Sequence, residues 1–560
     1  MRSIDFDPQI QKVFDTLYSN ITPTDWRKWL VSSKEEYENL AMKLSGISEP
    51  SVIDKLRRQK TDSRKLSVDF RSLLESWNSS NPIVVCHTSG TSGSSLSEVK
   101  WLYISKNLVR RLWAPGMQAI FESSGLNHKS SIAIFIPSRI KGYGLSFLEE
   151  TKLIKLYSSE FSQRLTLSLI KPSSYLMDTY RNAKSIQTIS KMLSMERISV
   201  VSAPASTILG WADLRRLHRG LEKSLANLPE KEFTALSEIL LANHDLNLNV
   251  ASEIQERLSE VMSEATLMFS ISSITKEEWG KIRDFMKWKH GDERFTNLYV
   301  GSEIGPFAAN IRNYAREILL KDEMYVFPLT LPAIESKGEI ELISRSKQLK
   351  GNLLVSRMGD SNPLINIDTG DVIEISSQEG LPRISGSILR AAIHYKLRLK
   401  ISPSIKIARE HDVYVGDYFD LGEIEIFNAR SLFSCLARYI LTKNSSMLIS
   451  GLNEEDRPWT LYITKSGDVT EAAIRRDISE CPEGKAIKTA IQNEVLRIKL
   501  LEQNLVGTEI PRSQLVKLVR RGELPKGILK RWPLYLILYR NDETKRIGQS
   551  KNLARRIPRG

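Results

Sequence analysis

The sequence predicts an α/β fold with mixed sheets and packed helices, followed by a smaller α+β C-terminal domain. Short apolar runs alternate with helical patterns from Pro82 onward, which is typical of helices packed on a sheet. The pattern becomes rich in strands from about Gly338, and from about Gly386 strands are mixed with two strongly basic helices. Because 560 residues exceed one ordinary hydrophobic core, we expect a helical region over 1–80, a core domain over 81–385 and a basic C-terminal domain over 386–560.

The periodicity of apolar residues predicts the individual elements in chain order. Helical spacing predicts two early helices, in DPQIQKVFDTLYSN and SKEEYENLAMKLSG. The runs PIVVC, KWLYIS, SIAIFIP, ISVVSAP and TLMFSIS predict strands, and YRNAKSIQTISKMLSM and ASEIQERLSEVMSE predict helices among them. Further along, GEIELIS, NLLVSRMG and DVIEISS predict the strand-rich part of the chain.

Composition restricts the class of protein. Hydrophobic residues make up 41% and charged residues 26% of the chain, as in ordinary globular proteins. No apolar run reaches about 18 residues, and the first residues lack the apolar segment of a secretory signal, so we expect a cytoplasmic protein with no membrane span. Cys86, Cys435 and Cys481 are the only cysteines, too few for a disulfide framework or a Cys-x-x-Cys metal site.

The positive charge is concentrated at the C-terminus. The net charge of the chain is +14, and residues 486–560 contain 17 Lys and Arg against 6 Asp and Glu, a net charge of +11. Such an excess favours a surface for a polyanion, which includes nucleic acid, a nucleotide cofactor or an acidic partner. A solvated basic face with no ligand is the alternative.

A loop rich in serine and glycine separates two of the predicted strands. It reads HTSGTSGSSLSEVKW, from His87 to Trp101, and is longer than a hairpin connection. Glycines let backbone N–H groups turn toward a ligand, and hydroxyls add donors, so the composition indicates a phosphate-binding loop. A flexible loop without a ligand is the alternative. His87 borders the loop, as a structural histidine or as a contact to substrate.

Four further stretches extend this pattern: GYGLSF (142–147), VVSAPAS (200–206), LYVGSEIGP (298–306) and NPLINIDTGDVIEI (362–375). Together with the loop, they resemble the adenylate-forming superfamily of acyl-CoA synthetases and adenylation domains, and within it the phenylacetate–CoA ligase branch most. The resemblance covers roughly residues 80–405. It implies a large AMP-binding core domain and a small mobile domain after it, with Thr-Gly-Asp in a turn between two strands.

The resemblance implies roles for individual residues. Asp371 would accept the ribose hydroxyls, Tyr299 would stack near the adenine, Ser302 would bind the α-phosphate, and Glu303 would bind Mg²⁺ and take part in catalysis. The acid would lie near Tyr143, Ser206 and Ser272. Thr91 would also take part in catalysis. The phosphates of ATP would be bound by six loop residues: Thr88, Ser89, Gly90, Thr91, Ser92 and Gly93.

The C-terminal segment and the hinge depart from the pattern. Lys545 is our first choice for the catalytic lysine of the mobile domain and Lys551 is the second, although the same tail also resembles the opening of a GIY-YIG nuclease, for which too little chain follows. The arginine that usually contacts the ribose from the hinge is missing from the segment beginning at Gly386. Arg383 and Arg390 are candidates to replace it.

The resemblance implies an AMP-forming acid–thiol ligase. Such an enzyme uses ATP and Mg²⁺ to convert a small carboxylic acid to an acyl-adenylate and transfers the acyl group to coenzyme A or another thiol. The alternative is a nucleotide-binding protein of the same fold that has lost catalysis. It would act through its basic tail on nucleic acid or a protein partner.

Overall fold

A computed structural model gives the architecture of the chain. The residues it describes are 8–23, 25–29, 34–47, 60–61, 83–88, 100–137, 146–148, 153–225, 247–269, 276–289, 291–311, 323–343, 348–358, 363–376, 382–399, 409–416, 418–420, 425–426, 448–449, 459–464, 470–481, 484–501, 512–521 and 536–540.

In the part of the chain that the structure describes, twelve α-helices of eight or more residues are numbered here in chain order. They are α1 (Pro8–Tyr18), α2 (Lys34–Ser45), α3 (Ala114–Ser123), α4 (Ser158–Ile170), α5 (Ile186–Leu193), α6 (Ala205–Ala212), α7 (Leu214–Leu225), α8 (Leu248–Met262), α9 (Lys276–Phe285), α10 (Glu471–Glu480), α11 (Gly484–Gln492) and α12 (Arg512–Arg520). A 3₁₀ turn, Trp26–Trp29, lies between α1 and α2. A short helical turn, Lys106–Leu108, and a π-helical turn, Val109–Trp113, lead directly into α3.

The strands are numbered in the same way. They are β1 (Ile83–His87), β2 (Trp101–Tyr103), β3 (Ser131–Ile136), β4 (Ser146–Leu148), β5 (Leu153–Tyr157), β6 (Ser174–Thr179), β7 (Val200–Ser202), β8 (Thr266–Met268), β9 (Phe295–Thr296), β10 (Leu298–Gly301), β11 (Gly305–Ala309), β12 (Met324–Val326), β13 (Leu331–Ser336), β14 (Glu339–Leu342), β15 (Gln348–Arg357), β16 (Leu364–Ser376), β17 (Arg383–Arg390), β18 (Ile393–Leu399), β19 (Arg409–Gly416), β20 (Phe419–Asp420), β21 (Glu425–Ile426), β22 (Leu448–Ile449), β23 (Trp459–Thr464), β24 (Leu496–Leu501) and β25 (Leu536–Arg540).

A parallel sheet of five strands lies at the centre of the α/β part, in the order β6-β3-β7-β8-β9. All four pairings are parallel. The chain passes from β3 to β6 on one side and then to β7 on the other side of β3, so the strand order reverses at β3. In open α/β sheets, ligands bind beyond the carboxyl ends of the strands at such a reversal.

The two faces of this sheet belong to two different hydrophobic cores. On β3, Ile132, Ile134 and Ile136 pack into a core that also contains α1, α3 and α4, whereas Ala133 and Phe135 pack into a second core with α5 to α9. Side chains alternate between the two faces of a strand. The continuous apolar run SIAIFIP is therefore what a strand covered on both faces requires.

An antiparallel sheet of eight strands forms the second large layer, in the order β10-β11-β12-β17-β16-β15-β13-β14. Within β16, the residues 369–371 face only Leu353 of β15, because Asn352 pairs with Val372 and Leu354 pairs with Asp368. We expected Thr-Gly-Asp in a turn between two strands; it instead forms a bulge inside one long strand. Gly370 has a φ of +71°, a conformation that glycine adopts without strain.

β20 and β21 form a two-stranded antiparallel sheet. Two smaller mixed sheets complete the described part of the architecture. One has the order β2-β1-β5-β4, and the other, near the C-terminus, has the order β18-β19-β25-β22-β23-β24. Among the described residues, no helix is both long and apolar enough to cross a membrane. Cys86 is free and buried, whereas Cys481 is disulfide-bonded, a linkage that the small number of cysteines did not lead us to expect.

The predicted fold class is confirmed. Each strand and helix predicted up to DVIEISS lies on or overlaps an element of the structure. The eight-stranded sheet continues through β17 to Arg390, so the predicted division at residues 385 and 386 falls inside a strand. The N-terminal helices contribute Phe14 and Tyr37 to the same core as the sheet strands.

A buried ion pair within α4 lies against the N-terminal helix α1. Arg164 Nε lies 2.9 Å from Glu160 Oε1, and the exposed fractions of the two side chains are 2% and 0%. Gln11 on α1 donates from Nε2 to the Arg164 carbonyl oxygen at 3.1 Å and to Ser168 Oγ at 3.0 Å. Removal of one member of such a pair leaves an uncompensated charge in the core.

We expect Arg164→Met to destabilise the protein by about 3–5 kcal/mol, because Glu160 would remain buried without its counter-ion. The double variant Glu160→Leu/Arg164→Met should lose much less, since neither charge remains. Arg257→Met, which breaks the exposed i,i+4 pair with Glu253, is the control and should change stability by at most about 1 kcal/mol. Urea unfolding measures all three. Equal losses for the single and double variants would contradict this account.

Candidate nucleotide and acid site

A cavity of about 370 Å³ opens at the carboxyl ends of the central parallel strands. Its walls include Ile136 at the end of β3, Tyr180 after β6, Ser202 at the end of β7 and Phe269 after β8. The cavity therefore lies where the strand order reverses, the usual place for a ligand in this type of sheet. Its volume is near the lower end of the range for small-molecule pockets.

The wall of this cavity is apolar with a few polar groups. Trp113, Met117 and Phe121 on the α3 side form much of the apolar surface. The polar side-chain groups are the Trp113 indole N–H, one amide and several hydroxyls; the amide and hydroxyls belong to Ser158, Ser159, Ser162, Gln163, Tyr180, Ser202, Ser206 and Ser302. No Asp, Glu, Lys, Arg or His is present among the described residues that line it.

A charged turn borders this neutral cavity. Ser302 and Glu303 follow β10, and the hydroxyls of Ser302 and Ser158 lie 2.6 Å apart. Glu303 Oε1 lies 3.1 Å from Lys100 Nζ, and Arg357 Nη1 donates to the Glu303 carbonyl oxygen at 3.1 Å. Glu303 lines a second, smaller cavity that shares Trp113 and Ser302 with the larger one. The charged groups of Glu303, Lys100 and Arg357 therefore lie beside the apolar cavity, next to the two residues, Trp113 and Ser302, that line both cavities.

The π-helical turn before α3 sets the position of Trp113 and of the charged turn. Leu112 and Trp113 end this turn, and Leu112 packs on Gly305, just after the Ser-Glu pair. A Cβ atom on Gly305 would come within 2.8 Å of Leu112 Cδ2, and its φ of +76° also favours glycine. Single π turns inside helices occur mostly at functional sites.

Asp371 is held by two side chains from different strands. Tyr299 Oη donates to Asp371 Oδ2 at 2.6 Å, and Arg390 Nη1 lies 3.1 Å from Asp371 Oδ1. Arg390 pairs directly with Asp371 across β17 and β16. Burial raises the pKa of Tyr299 well above its usual value, and the Asp371 charge raises it further, so the phenol stays protonated.

The bulge around Gly370 satisfies its own backbone. Thr369 Oγ1 accepts from the Asp371 amide at 3.2 Å and donates to the Leu353 carbonyl oxygen at 3.1 Å. Asp368 Oδ1 accepts from the Gly370 amide at 2.8 Å, and Arg390 Nη1 donates to the Thr369 carbonyl oxygen at 3.1 Å. These contacts hold the Asp371 carboxylate in one orientation.

The structure brings several of the predicted residues together. Ser302 and Ser206 line the larger cavity, Glu303 lines the smaller one, and Tyr299 contacts Asp371. Tyr299, which we predicted near the adenine, also packs edge-on against Phe307 at 5.3 Å. Thr88 pairs with Lys100 through Oγ1 and the backbone. The remaining predicted residues lie outside the described part of the chain: Tyr143, Ser272, Lys545, Lys551, Ser89, Gly90, Thr91, Ser92 and Gly93.

Three residues of the site were missed or left open from sequence. Trp113 and Gln163 are ordinary helix residues by pattern, and only the fold places them in the cavity wall. Arg390 was one of two candidates for the missing hinge arginine. The other, Arg383, lies with its guanidinium 5.2 Å from the centre of the Tyr325 ring, whereas Arg390 is the one beside Asp371.

His87 has the environment of a structural histidine. It is 0% exposed, and its ring packs edge-on against Trp101 at 5.1 Å and Tyr157 at 4.9 Å. Nδ1 lies 3.0 Å from the carbonyl oxygen of Thr88. Burial lowers the pKa of this imidazole below its usual value, which favours the neutral form at pH 7.

A divalent metal would have few protein ligands here. Within the described ranges, no group of three or more His, Cys, Asp or Glu side chains is placed to hold an ion. Glu303 is the carboxylate nearest the junction of the two cavities, and Mg²⁺ is commonly held by one or two carboxylates together with substrate phosphates.

No protein-family model matches the sequence, and no curated protein matches it. The fold is similar to several solved structures. One is the AtGH3.15 acyl acid amido synthetase in complex with 2,4-DB, with 14% sequence identity, a TM-score of 0.43, and coverage of 97% of this chain and 99% of that one. Another is a 2-hydroxyisobutyryl-CoA ligase in complex with 2-HIB-AMP and CoA, with 12% identity, a TM-score of 0.43, and coverage of 89% of this chain and 88% of that one. A fatty acyl-adenylate ligase structure, from work on the E. coli and L. pneumophila enzymes, is similar over 79% of this chain and 69% of that one, with 13% sequence identity and a TM-score of 0.36. Likenesses this weak leave the activity to be inferred from the geometry of this chain.

Asp368 gives a prediction that depends on pH. Burial raises the pKa of its carboxyl group above the usual value, and Oδ2 has no hydrogen-bond partner in the described part of the chain. Because the folded state binds the proton more tightly, this group loses stabilising free energy as the pH rises from its unfolded pKa to its folded pKa.

Asp368→Asn should therefore stabilise the protein at pH 7 and have little effect near pH 4, since the amide oxygen still accepts from the Gly370 amide. Urea unfolding at several pH values measures the difference between variant and wild type. Asp292→Asn, at an exposed position, is the control and should change the free energy of unfolding much less than Asp368→Asn does at pH 7. A stabilisation that is largest in acid would contradict the assignment.

Proposed function

We propose that this protein activates a small carboxylic acid with ATP, giving an acyl-adenylate and pyrophosphate. The observation that carries the proposal is the junction of a neutral, apolar cavity with a charged turn at Trp113 and Ser302. Activation of an acid requires an apolar tail and a highly charged phosphate to be bound side by side. A neutral cavity alone would fit many ligands, and a charged turn alone would fit many anions.

The groups around the junction suit the parts of this reaction. The tail of the acid would occupy the larger cavity, and its carboxylate would lie at Ser302 and Trp113. The ribose hydroxyls would donate to Asp371, whose orientation is held by Tyr299 and Arg390. Fixed donors and charges of this kind stabilise a transition state because they need not reorganise during the reaction.

Glu303 would hold the magnesium ion, which supplies Lewis-acid stabilisation of the phosphates when it is bound. In the structure Glu303 pairs with Lys100, so the carboxylate is already oriented by a cation before an ion and nucleotide arrive. We further propose that Thr88 and the loop from Ser89 to Gly93 bind the leaving pyrophosphate. Lys545 would serve the same half-reaction from the C-terminal domain.

The acyl group would then pass to coenzyme A or another thiol. Formation of a thioester after addition of coenzyme A tests it separately from adenylation.

Acid-dependent exchange of labelled pyrophosphate into ATP tests adenylation with a panel of neutral-tailed acids. We expect exchange with at least one acid, and we expect Mg–ATP to raise the melting temperature of the wild type. Asp371→Asn should reduce the thermal shift because an amide accepts ribose hydroxyls less well and loses its charge contact with Arg390. If millimolar Mg–ATP leaves the melting temperature unchanged and no acid supports exchange, the proposal is wrong. A thermal shift without exchange with any acid would instead favour a nucleotide-binding protein that has lost catalysis.

Glu303→Gln separates a magnesium ligand from a structural acid. The change keeps the shape of the side chain and removes its charge, so the exchange rate should fall by roughly two orders of magnitude, the effect of losing one well-placed electrostatic group. Glu339→Gln, at an exposed position on β14, is the matched control and should retain the wild-type rate. Equal rates for Glu303→Gln and the wild type would remove Glu303 from the mechanism.

A further inference from the structure

Two polar atoms in the wall of the larger cavity have no hydrogen-bond partner within the described part of the chain. They are Oε1 of Gln163 and Nε1 of Trp113, and both are shielded from solvent. Native proteins seldom leave such atoms unpaired, and an exception calls for an explanation. Because both residues line one cavity, a bound ligand can supply partners for both atoms.

Gln163 offers this ligand an acceptor. Its Nε2 donates to Ser202 Oγ at 3.1 Å, and Ser202 ends β7, one of the strands whose carboxyl ends form the cavity. The hydrogen bond uses the donor end of the amide and leaves the carbonyl end available. An amide oxygen accepts hydrogen bonds and cannot donate one, so its partner must carry an O–H or N–H group.

Trp113 offers a donor where the two cavities share lining residues. The side chain is 1% exposed and lines the larger and the smaller cavity, as Ser302 does. An indole nitrogen only donates, so it suits an acceptor such as a carboxylate oxygen. A ligand that pairs with both atoms would therefore carry an acceptor near Trp113 and Ser302 and a donor near Ser202.

The rest of the wall restricts the body of the ligand. Apolar side chains, including Met117, Phe121 and Phe269, line the space, and no ionisable Asp, Glu, Lys, Arg or His is found among its described lining residues. Without a counter-ion, a second charge on the ligand would lose its hydration with no compensation. A dicarboxylic acid or an amino acid with a free ammonium group is therefore a poor fit.

We propose that the substrate is an acid with an uncharged, mainly apolar tail that carries one hydroxyl or N–H donor, and that Gln163 is the specificity-determining residue that accepts this donor. The inference rests on the proposed function for its carboxylate end, and it adds the chemistry of the tail. A site built to hydrogen-bond a substrate hydroxyl discriminates strongly against the analogue that lacks it, because a buried polar group is then left unpaired.

The test compares matched acids that differ at one position. Each aryl or alkyl acid is prepared in three forms, which carry a hydroxyl, a methyl or a fluorine at the same carbon. The kcat/KM of each form is measured by pyrophosphate exchange. For the wild type we expect the best hydroxyl-bearing acid to exceed its methyl and fluoro analogues by about 10-fold to 100-fold. Gln163→Leu should reduce this preference to about 3-fold or less, without changing the KM for ATP.

Two further variants keep the result interpretable. Gln163→Met removes the acceptor while keeping a side chain of similar length, and it should lose the preference for a donor even if Gln163→Leu folds poorly. Gln187→Leu makes the same change on α5, at a residue that does not line the cavity, and should preserve the wild-type preference. A wild-type preference for the methyl or fluoro acids, or an unchanged preference in Gln163→Leu, would overturn the inference.

Failure of the proposed function gives a different result. If no acid supports exchange, the same hydroxyl and methyl pairs are titrated against wild type and Gln163→Leu by calorimetry without ATP. Tighter binding of the hydroxyl acid to the wild type, lost in Gln163→Leu, supports the inference even for a protein without catalysis. Equal binding of the matched acids, or no binding of any of them, overturns it.

Discussion

The hydrogen bond from Tyr299 to Asp371 is the contact on which the geometry of the site depends. Tyr299 lies on the edge strand β10 and Asp371 on β16, which is four strands away in the order of the sheet. On a flat sheet four spacings would separate the two strands by about 19 Å. The observed 2.6 Å contact therefore requires the sheet to curl. Because Ser302 and Glu303 come three and four residues after Tyr299, the same curl brings the charged turn and the acidic bulge onto one side of the sheet.

Arg390, on the neighbouring strand β17, completes this arrangement. It stands opposite Asp371 in the ladder, and its guanidinium contacts both the Asp371 carboxylate and the Thr369 carbonyl oxygen. A Cβ atom on Gly370 would lie 3.2 Å from the same guanidinium nitrogen. Glycine at this position therefore serves two purposes, since it permits the positive φ and leaves room for the arginine.

Sequence patterns predicted the elements much better than they predicted the site. A run such as SIAIFIP is apolar on both faces, and burial on both faces is a local consequence of that run, so its strand was predictable. The bulge at Gly370 was predicted as a turn because glycine followed by aspartate is typical of both. Only the pairing with β15 distinguishes the two, and that pairing depends on residues distant in sequence. Trp113 and Gln163 were missed for a similar reason. Helical periodicity indicates which residues face the interior, but it does not indicate which of them border a cavity.

The position of the cavity at the end of β3 also links it to both hydrophobic cores. Phe135 and Ile136 are adjacent in sequence, point to opposite faces and belong to different cores, yet both line the cavity. One wall is therefore supported by α3 and α4 and the opposite wall by the helices of the second core. Closely packed interiors transmit small displacements, so a change of side-chain volume in either core would shift the residues that line the cavity. A site at a reversal of strand order gains its enclosure in this way, because each of the two layers that cover the sheet contributes one side of it.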